Sequence, residues 1–165
     1  MHSNTVPVSI AVLGLGEAGS LIARDLVRGG HTVRGWDPDL HGDLSGIPVA
    51  SSFAEAVCGV DVVLSVNWAT VAHDVARDAL PFLHPGMIYA DHNTSGPALK
   101  QELAAIVAPS GAAFVDVAMM APVPPLGIRV VLKLVPLLAD LGGDQLVLRR
   151  HRHELAGGHR EGAGR

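Results

Sequence analysis

Residues 8–19 read VSIAVLGLGEAG. Val8 to Leu13 is apolar but for Ser9, the pattern of a strand buried on both faces of a parallel sheet. It runs directly into Gly14, Leu15 and Gly16. Beyond them Ala18, Leu21, Ile22 and Leu26 share one face of a helix, Arg24, Asp25 and Arg28 lie off it, and Gly29-Gly30 ends it. A strand, a glycine turn and a helix in that order make a cradle for phosphate. In the pattern GxGxxG, Gly14 permits the tight turn, Gly16 lets backbone approach a pyrophosphate, and Gly19 lets helix and strand pack closely. The amides and positive dipole of the helix N-terminus favour the anion. Dinucleotide binding is therefore expected at Gly14, Leu15, Gly16, Glu17, Ala18 and Gly19.

The chain continues in the same alternation. Thr32 to Trp36 reads as a strand ending at Asp37, and the Asp, Gly and Pro residues between Pro38 and Pro48 read as a surface loop. Ser52 with Glu55 suggests a capping box for a short helix through Cys58. A buried strand is expected over Asp61 to Val66 and a helix from about Thr70 to Leu83. Another strand spans Met87 to Ala90, and Pro97 suits the first turn of a helix reaching about Val107. Ala113 to Val117 is the last strand of the series. Strands and helices at this spacing give right-handed βαβ units, hence an α/β fold with a doubly wound parallel sheet. Residues 1–127 are expected to form this domain, 128–148 an uncertain apolar extension, and 149–165 a disordered basic tail.

Asp37 follows the second strand, 18 residues after Gly19, where a carboxylate can accept from the adenosine ribose hydroxyls and repel a 2′-phosphate. That favours NAD over NADP. The competing reading is that Asp37 only opens the Asp-Pro turn.

Further residues carry a family resemblance. GLGEAGS over 14–20, Ser65-Val66-Asn67, Asp91-His92-Asn93-Thr94-Ser95-Gly96-Pro97 and Asp116 resemble, in order and spacing, the 3-hydroxyacid dehydrogenase and 6-phosphogluconate dehydrogenase-like superfamily, over roughly residues 8–127. The resemblance implies a Rossmann cofactor domain of an NAD(P)-dependent oxidoreductase that moves hydride between nicotinamide and a small hydroxy acid, or an imine. It also implies that Val66, Asn67 and Thr94 lie along the nicotinamide ribose and ring. Thr94 could instead cap the helix that begins near Pro97.

Two departures bear on activity. Where the family continues from Asp116 with a stretch whose serine and glycines hold a substrate carboxylate, this chain has Val117-Ala118-Met119-Met120-Ala121-Pro122, and the Met120 thioether cannot donate a hydrogen bond. The family's catalytic lysine belongs to a C-terminal helical domain that has no counterpart here. Lys100, expected on a surface helix, and Lys133, in an apolar run, are the only lysines, and neither matches it. No catalytic residue is assigned. A homodimer could form, or a partner chain could supply the helical domain; the alternative is a stand-alone or remnant dinucleotide-binding module.

Composition excludes other classes. Apolar residues make up 48% and charged residues 17% of the 165, which fits a globule with a buried sheet. Residues 1–148 hold 7 Lys and Arg against 14 Asp and Glu, a net of −7, which gives no reason to seek nucleic-acid backbones. The tail is +3, from 5 Arg and 2 Glu, and its histidines His151, His153 and His159 lack the fixed geometry of a metal site. Cys58 is the only cysteine and is expected to be buried; His92 is expected in a loop. The opening MHSNTVPVS lacks a basic start and an apolar core, and no apolar run approaches the roughly 18 residues of a membrane span, so a cytoplasmic location without membrane contact is expected.

Overall fold

The computed structural model describes residues 7–119 and 132–135. Strand β1 (Ser9–Leu13) leads into helix α1 (Glu17–Arg28), then β2 (Thr32–Trp36), a short α2 (Phe53–Val57), and β3 (Val62–Ser65). After these come α3 (Ala72–Ala79), β4 (Ile88–Asp91), α4 (Pro97–Val107), β5 (Ala113–Met119) and β6 (Leu132–Val135). The sheet order is β2-β1-β3-β4-β5-β6, with the first five strands parallel and β6 antiparallel to β5. The doubly wound parallel sheet expected from the sequence is thus present.

One feature of that sheet lies in a segment that read as loop. Beyond β2, Gly35 and Val49 form an isolated parallel bridge, held by Gly35 N donating to Pro48 O and Ala50 N donating to Gly35 O, both at 2.8 Å. Counted as a vestigial strand, it gives the parallel part of the sheet the order 3-2-1-4-5-6 of dinucleotide-binding sheets, with the antiparallel β6 beyond it. Gly35 packs closely: a Cβ there would lie 2.9 Å from the Leu15 side chain and 3.2 Å from that of Ile47, so both would have to shift.

Alternation along β1 explains both layers. Ile10 and Val12 pack with Leu15, Ile22, Ala23, Leu26 and Val33 under α1. Ala11 and Leu13 face the other way, into a core with Val57 of α2, Ala76 of α3, Leu103 and Val107 of α4, Tyr89 and Phe114. A strand buried on both faces is apolar wherever it is covered, as β1 is from Ile10 to Leu13.

Local details differ from expectation in three places. Helix α3 is shorter than Thr70 to Leu83, because a 3-10 turn at Leu80–Phe82, built around Pro81, replaces its last turn. The capping box is half realised: Ser52 Oγ accepts from Glu55 N at 3.1 Å, but the Glu55 carboxylate reaches back to Ser51, accepting from its N at 2.7 Å and its Oγ at 2.5 Å. Cys58 is exposed rather than buried, since α2 ends at Val57 and leaves Cys58 as its C-terminal cap. Strand β6 falls within the apolar extension and adds to the sheet. Residues 149–165 and their histidines, like Met120, lie outside the described residues. No helix among the described residues is long and apolar enough to cross a membrane.

Candidate functional site

In this strand order the chain leaves β1 toward β2 and later returns to β1's other side as β3. The crevice beyond the carboxyl ends of β1 and β3 is therefore the switch point where open α/β sheets bind ligands. The loop of Gly14, Leu15 and Gly16 lies there. Gly14 has a φ of +104°, and a Cβ on it would collide with the carbonyl of Val66. A Cβ on Gly19 would collide with the carbonyl of Gly14. Gly16 differs: a Cβ there would meet nothing within 4 Å, and its backbone is extended and ordinary. Two glycines are thus required by the chain's own packing, while the third faces open space at the N-terminus of α1.

Leu15 turns inward. Its side chain is buried, and its N–H donates to Asp37 Oδ2 at 2.7 Å. Asp37 Oδ1 accepts from Asp39 N at 2.9 Å, so the carboxylate both opens the Asp-Pro turn and ties the glycine loop to the end of β2. Arg34, the nearest cation in sequence, points elsewhere: it donates to the carbonyls of Glu55 at 2.6 Å and Cys58 at 2.8 Å, at the C-terminal end of α2. Of the other cradle residues, Glu17 is exposed and Ala18 half-buried beside Gly16.

On the other flank, Ser65, Asp91 and Asp116 are Cα neighbours across β3, β4 and β5. Their side chains share the face covered by α3 and α4, the face of Val63, Tyr89 and Phe114. Lys100 of α4 meets this row. Its Nζ donates to Asp91 Oδ2 at 2.6 Å, to the Asp91 carbonyl at 3.2 Å and to Asp116 Oδ1 at 2.7 Å. Lys100 is only 4% exposed, which corrects the surface position expected for it: it repeats at i, i+3 and i+7 with the buried Leu103 and Val107. Asp91 is fully buried, and that burial raises its carboxyl above the usual range even though Lys100, Ser65 and Asn93 act against the shift.

Asn93 is the hub of the next layer, and sequence reasoning assigned it no role. Its Oδ1 accepts from Asn67 N at 2.7 Å, while its Nδ2 donates to Asp91 Oδ1 at 2.6 Å and Asn67 Oδ1 at 3.0 Å, with Ser65 Oγ at 3.3 Å. Asn67 Nδ2 donates to Ser65 Oγ at 3.0 Å. Val66 and Asn67 are half-buried at the end of β3, and Thr94 is exposed just beyond β4. Thr94 does not cap α4, whose N-cap is Gly96. His92 lies in the loop after β4, as expected, and is buried there. Its Nδ1 has no hydrogen-bond partner among the described residues, and burial, aided by the nearby Lys100 charge, lowers its pKa to about 4. Burial likewise raises the Tyr89 phenol; Ser65 opposes this, though the phenol oxygen has no hydrogen-bond partner among the described residues. No group of three His, Cys, Asp or Glu among the described residues could hold a metal.

A switch-point crevice, a glycine cradle open only at Gly16 and an acidic residue ending β2 define a Rossmann dinucleotide-binding domain. Residues 9–122 match the family model described as the NAD binding domain of 6-phosphogluconate dehydrogenase, and the chain belongs to that family of oxidoreductase domains. It is 30% identical over 149 residues to a protein of Mycobacterium bovis described as a probable 3-hydroxyisobutyrate dehydrogenase, covering 87% of this chain and 49% of that one. Its fold resembles a solved 3-hydroxyisobutyrate dehydrogenase of Mycobacterium tuberculosis with L-serine (TM-score 0.64, 28% identity, 72% of this chain and 42% of that one). It also resembles a conserved hypothetical protein from Sinorhizobium meliloti (TM-score 0.68, 31% identity, 76% and 46%). The chain spans about half the length of the curated relatives it matches.

Proposed function

We propose that this chain binds NAD(H) across the switch-point crevice and serves as the cofactor half of an oxidoreductase acting on a small hydroxy acid, or on an imine. Bound there, the nicotinamide would give or take hydride at C4. The observation that carries the reading is the contrast within the glycine loop. Gly14 and Gly19 are closed to any side chain by the chain's own backbone, whereas Gly16 borders open space in front of the α1 N-terminus. A pyrophosphate would fill that space, with the amides of Gly16, Glu17 and Ala18 as donors. Asp37, Leu15 and Gly14 would flank the adenosine side, and Val66, Asn67 and Thr94 the nicotinamide side. NAD is favoured over NADP because Asp37 would repel a 2′-phosphate, and Arg34 is committed to the carbonyls of α2.

A second reading, a binding module without turnover, is favoured by one specific observation. All three protons of Lys100 are taken by Asp91 and Asp116, so it cannot also donate to a substrate, and no other lysine lies among residues 7–119. In the first reading an acid and a substrate cleft would come from a helical domain on a partner chain. Incubating the pure chain with NAD and a panel of 3-hydroxy acids separates both readings from a complete enzyme. Negligible NADH formation by a chain that binds NAD fits both, and turnover restored by a partner carrying a helical domain supports the cofactor-half reading. Robust turnover, lost in Thr94→Ala, would mean that the chain is a complete enzyme.

A further inference from the structure

The buried ion pair beneath the site does not belong to the phosphate cradle. A lysine and two carboxylates in a sheet core are costly to desolvate, and well-packed apolar residues of similar size usually serve stability as well or better. Lys100 and Asp91 are nevertheless both removed from water, and every donor of the ammonium is used. The consequences lie above them. With Oδ2 held by Lys100, Asp91 presents Oδ1 to Asn93 at 2.6 Å. That bond fixes which end of the Asn93 amide donates and which accepts. Asn93 Oδ1 is thereby aimed at the backbone N–H of Asn67, and Nδ2 at the side-chain Oδ1 of Asn67. The chain Lys100, Asp91, Asn93, Asn67 runs from inside α4 to the end of β3, and its side-chain hydrogen bonds end there rather than on the glycine loop.

We propose that Lys100 is a positioning residue: through Asp91 and Asn93 it orients Asn67 to receive the nicotinamide-side half of the dinucleotide, leaving the adenosine-side half unaffected. This rests on the dinucleotide reading above and deepens it. In the switch-point geometry Asp37, at the end of β2, lies on one side of the pyrophosphate cradle, and Asn67 and Asn93, after β3 and β4, lie on the other. A relay that ends on Asn67 can therefore act on only one half of the ligand. Without the ammonium, Asp91 would take a proton, turn donor as well as acceptor, and lose its command over the orientation of the Asn93 amide.

The test compares NADH with ADP, which carries the adenosine side alone, by calorimetric titration of the full chain. In Lys100→Met, NADH should bind about tenfold more weakly, the scale of one net hydrogen bond, while ADP stays within about twofold. Should Lys100→Met fail to fold, the double substitution Lys100→Met, Asp91→Leu removes both charges, keeps apolar packing, and should give the same selective loss. Equal weakening of NADH and ADP, or no change in either, overturns the positioning role and leaves the cofactor site standing. Binding of neither ligand by the unmutated protein overturns both.

Discussion

His92 follows β4 directly, and its imidazole is 4% exposed with Nδ1 unpartnered among the described residues. Burial and the Lys100 charge lower its pKa from 6.5 to about 4. The folded protein therefore prefers the neutral ring, and the unfolded chain, at about 6.5, binds the proton first. The contribution to stability is full above pH 6.5 and is lost as pH falls toward 4. At about 1.4 kcal/mol per pH unit the loss across that window is about 3 kcal/mol, a large share of the 5–15 kcal/mol typical of a domain. Asp91 works in the opposite sense. Its raised pKa favours the protonated carboxyl in the folded state, so its contribution is greatest at low pH and declines as pH rises through the folded value. A comparison that keeps Asp91 constant isolates the imidazole. Urea unfolding of the unmutated chain and of His92→Phe, at pH 7, 6, 5 and 4, should give curves that diverge below pH 6.5 by about 3 kcal/mol, the unmutated chain losing more. Parallel curves, or an imidazole that titrates near 6.5 in a histidine NMR experiment on the folded protein, would refute the reasoning.

Other outcomes follow from the glycine loop and from the end of β2. Gly16→Val should fold, because a side chain there meets only open space, yet lose at least about tenfold in NADH affinity; unchanged affinity would make the turn structural alone. Gly19→Ala should instead destabilise the fold by about 1–3 kcal/mol or more in thermal melts, since its methyl would overlap the Gly14 carbonyl, and a melt like that of the unmutated chain would contradict the packing. The unmutated chain should bind NADH more tightly than NADPH, and Asp37→Ala should narrow that preference while costing about 1–3 kcal/mol of stability, as Leu15 N loses its acceptor. Equal affinity for the two cofactors before mutation would remove Asp37 from the discrimination.

The elements that sequence displayed best are those whose pattern and environment agree. Strand β1 is apolar at nearly every position because both of its faces are covered, and Gly14 and Gly19 stand where turn and packing forbid a side chain. Proline at the start of α4 and Gly30 just past α1, with a φ of +84°, marked helix boundaries through their own backbone preferences. Reading failed where one residue's chemistry outvoted its position. Lysine is so rarely buried that Lys100 looked like surface, although its phase with Leu103 and Val107 placed it on the inner face. The signal was the helical period, and it needed a partner to be believed; the partners, Asp91 and Asp116, become neighbours only when β4 and β5 pair in register. Asn93 was hidden for the same reason, since its partners Asn67, Ser65 and Asp91 come from two different strand ends. The vestigial strand at Val49 is a single bridge, too short to leave any alternation in the sequence.

The central claim is that the crevice beyond β1 and β3 takes a dinucleotide, and titration of NADH with the purified chain addresses it most directly. Following nicotinamide fluorescence, with competition by ADP and a melt to establish that the chain is folded, should reveal saturable binding of one NADH per chain with a Kd below about 1 mM, the upper range for natural substrates. ADP should displace it, and saturating NADH should raise the melting temperature. A cooperatively folded chain that leaves NADH fluorescence and its own melting temperature unchanged up to that concentration would contradict the account.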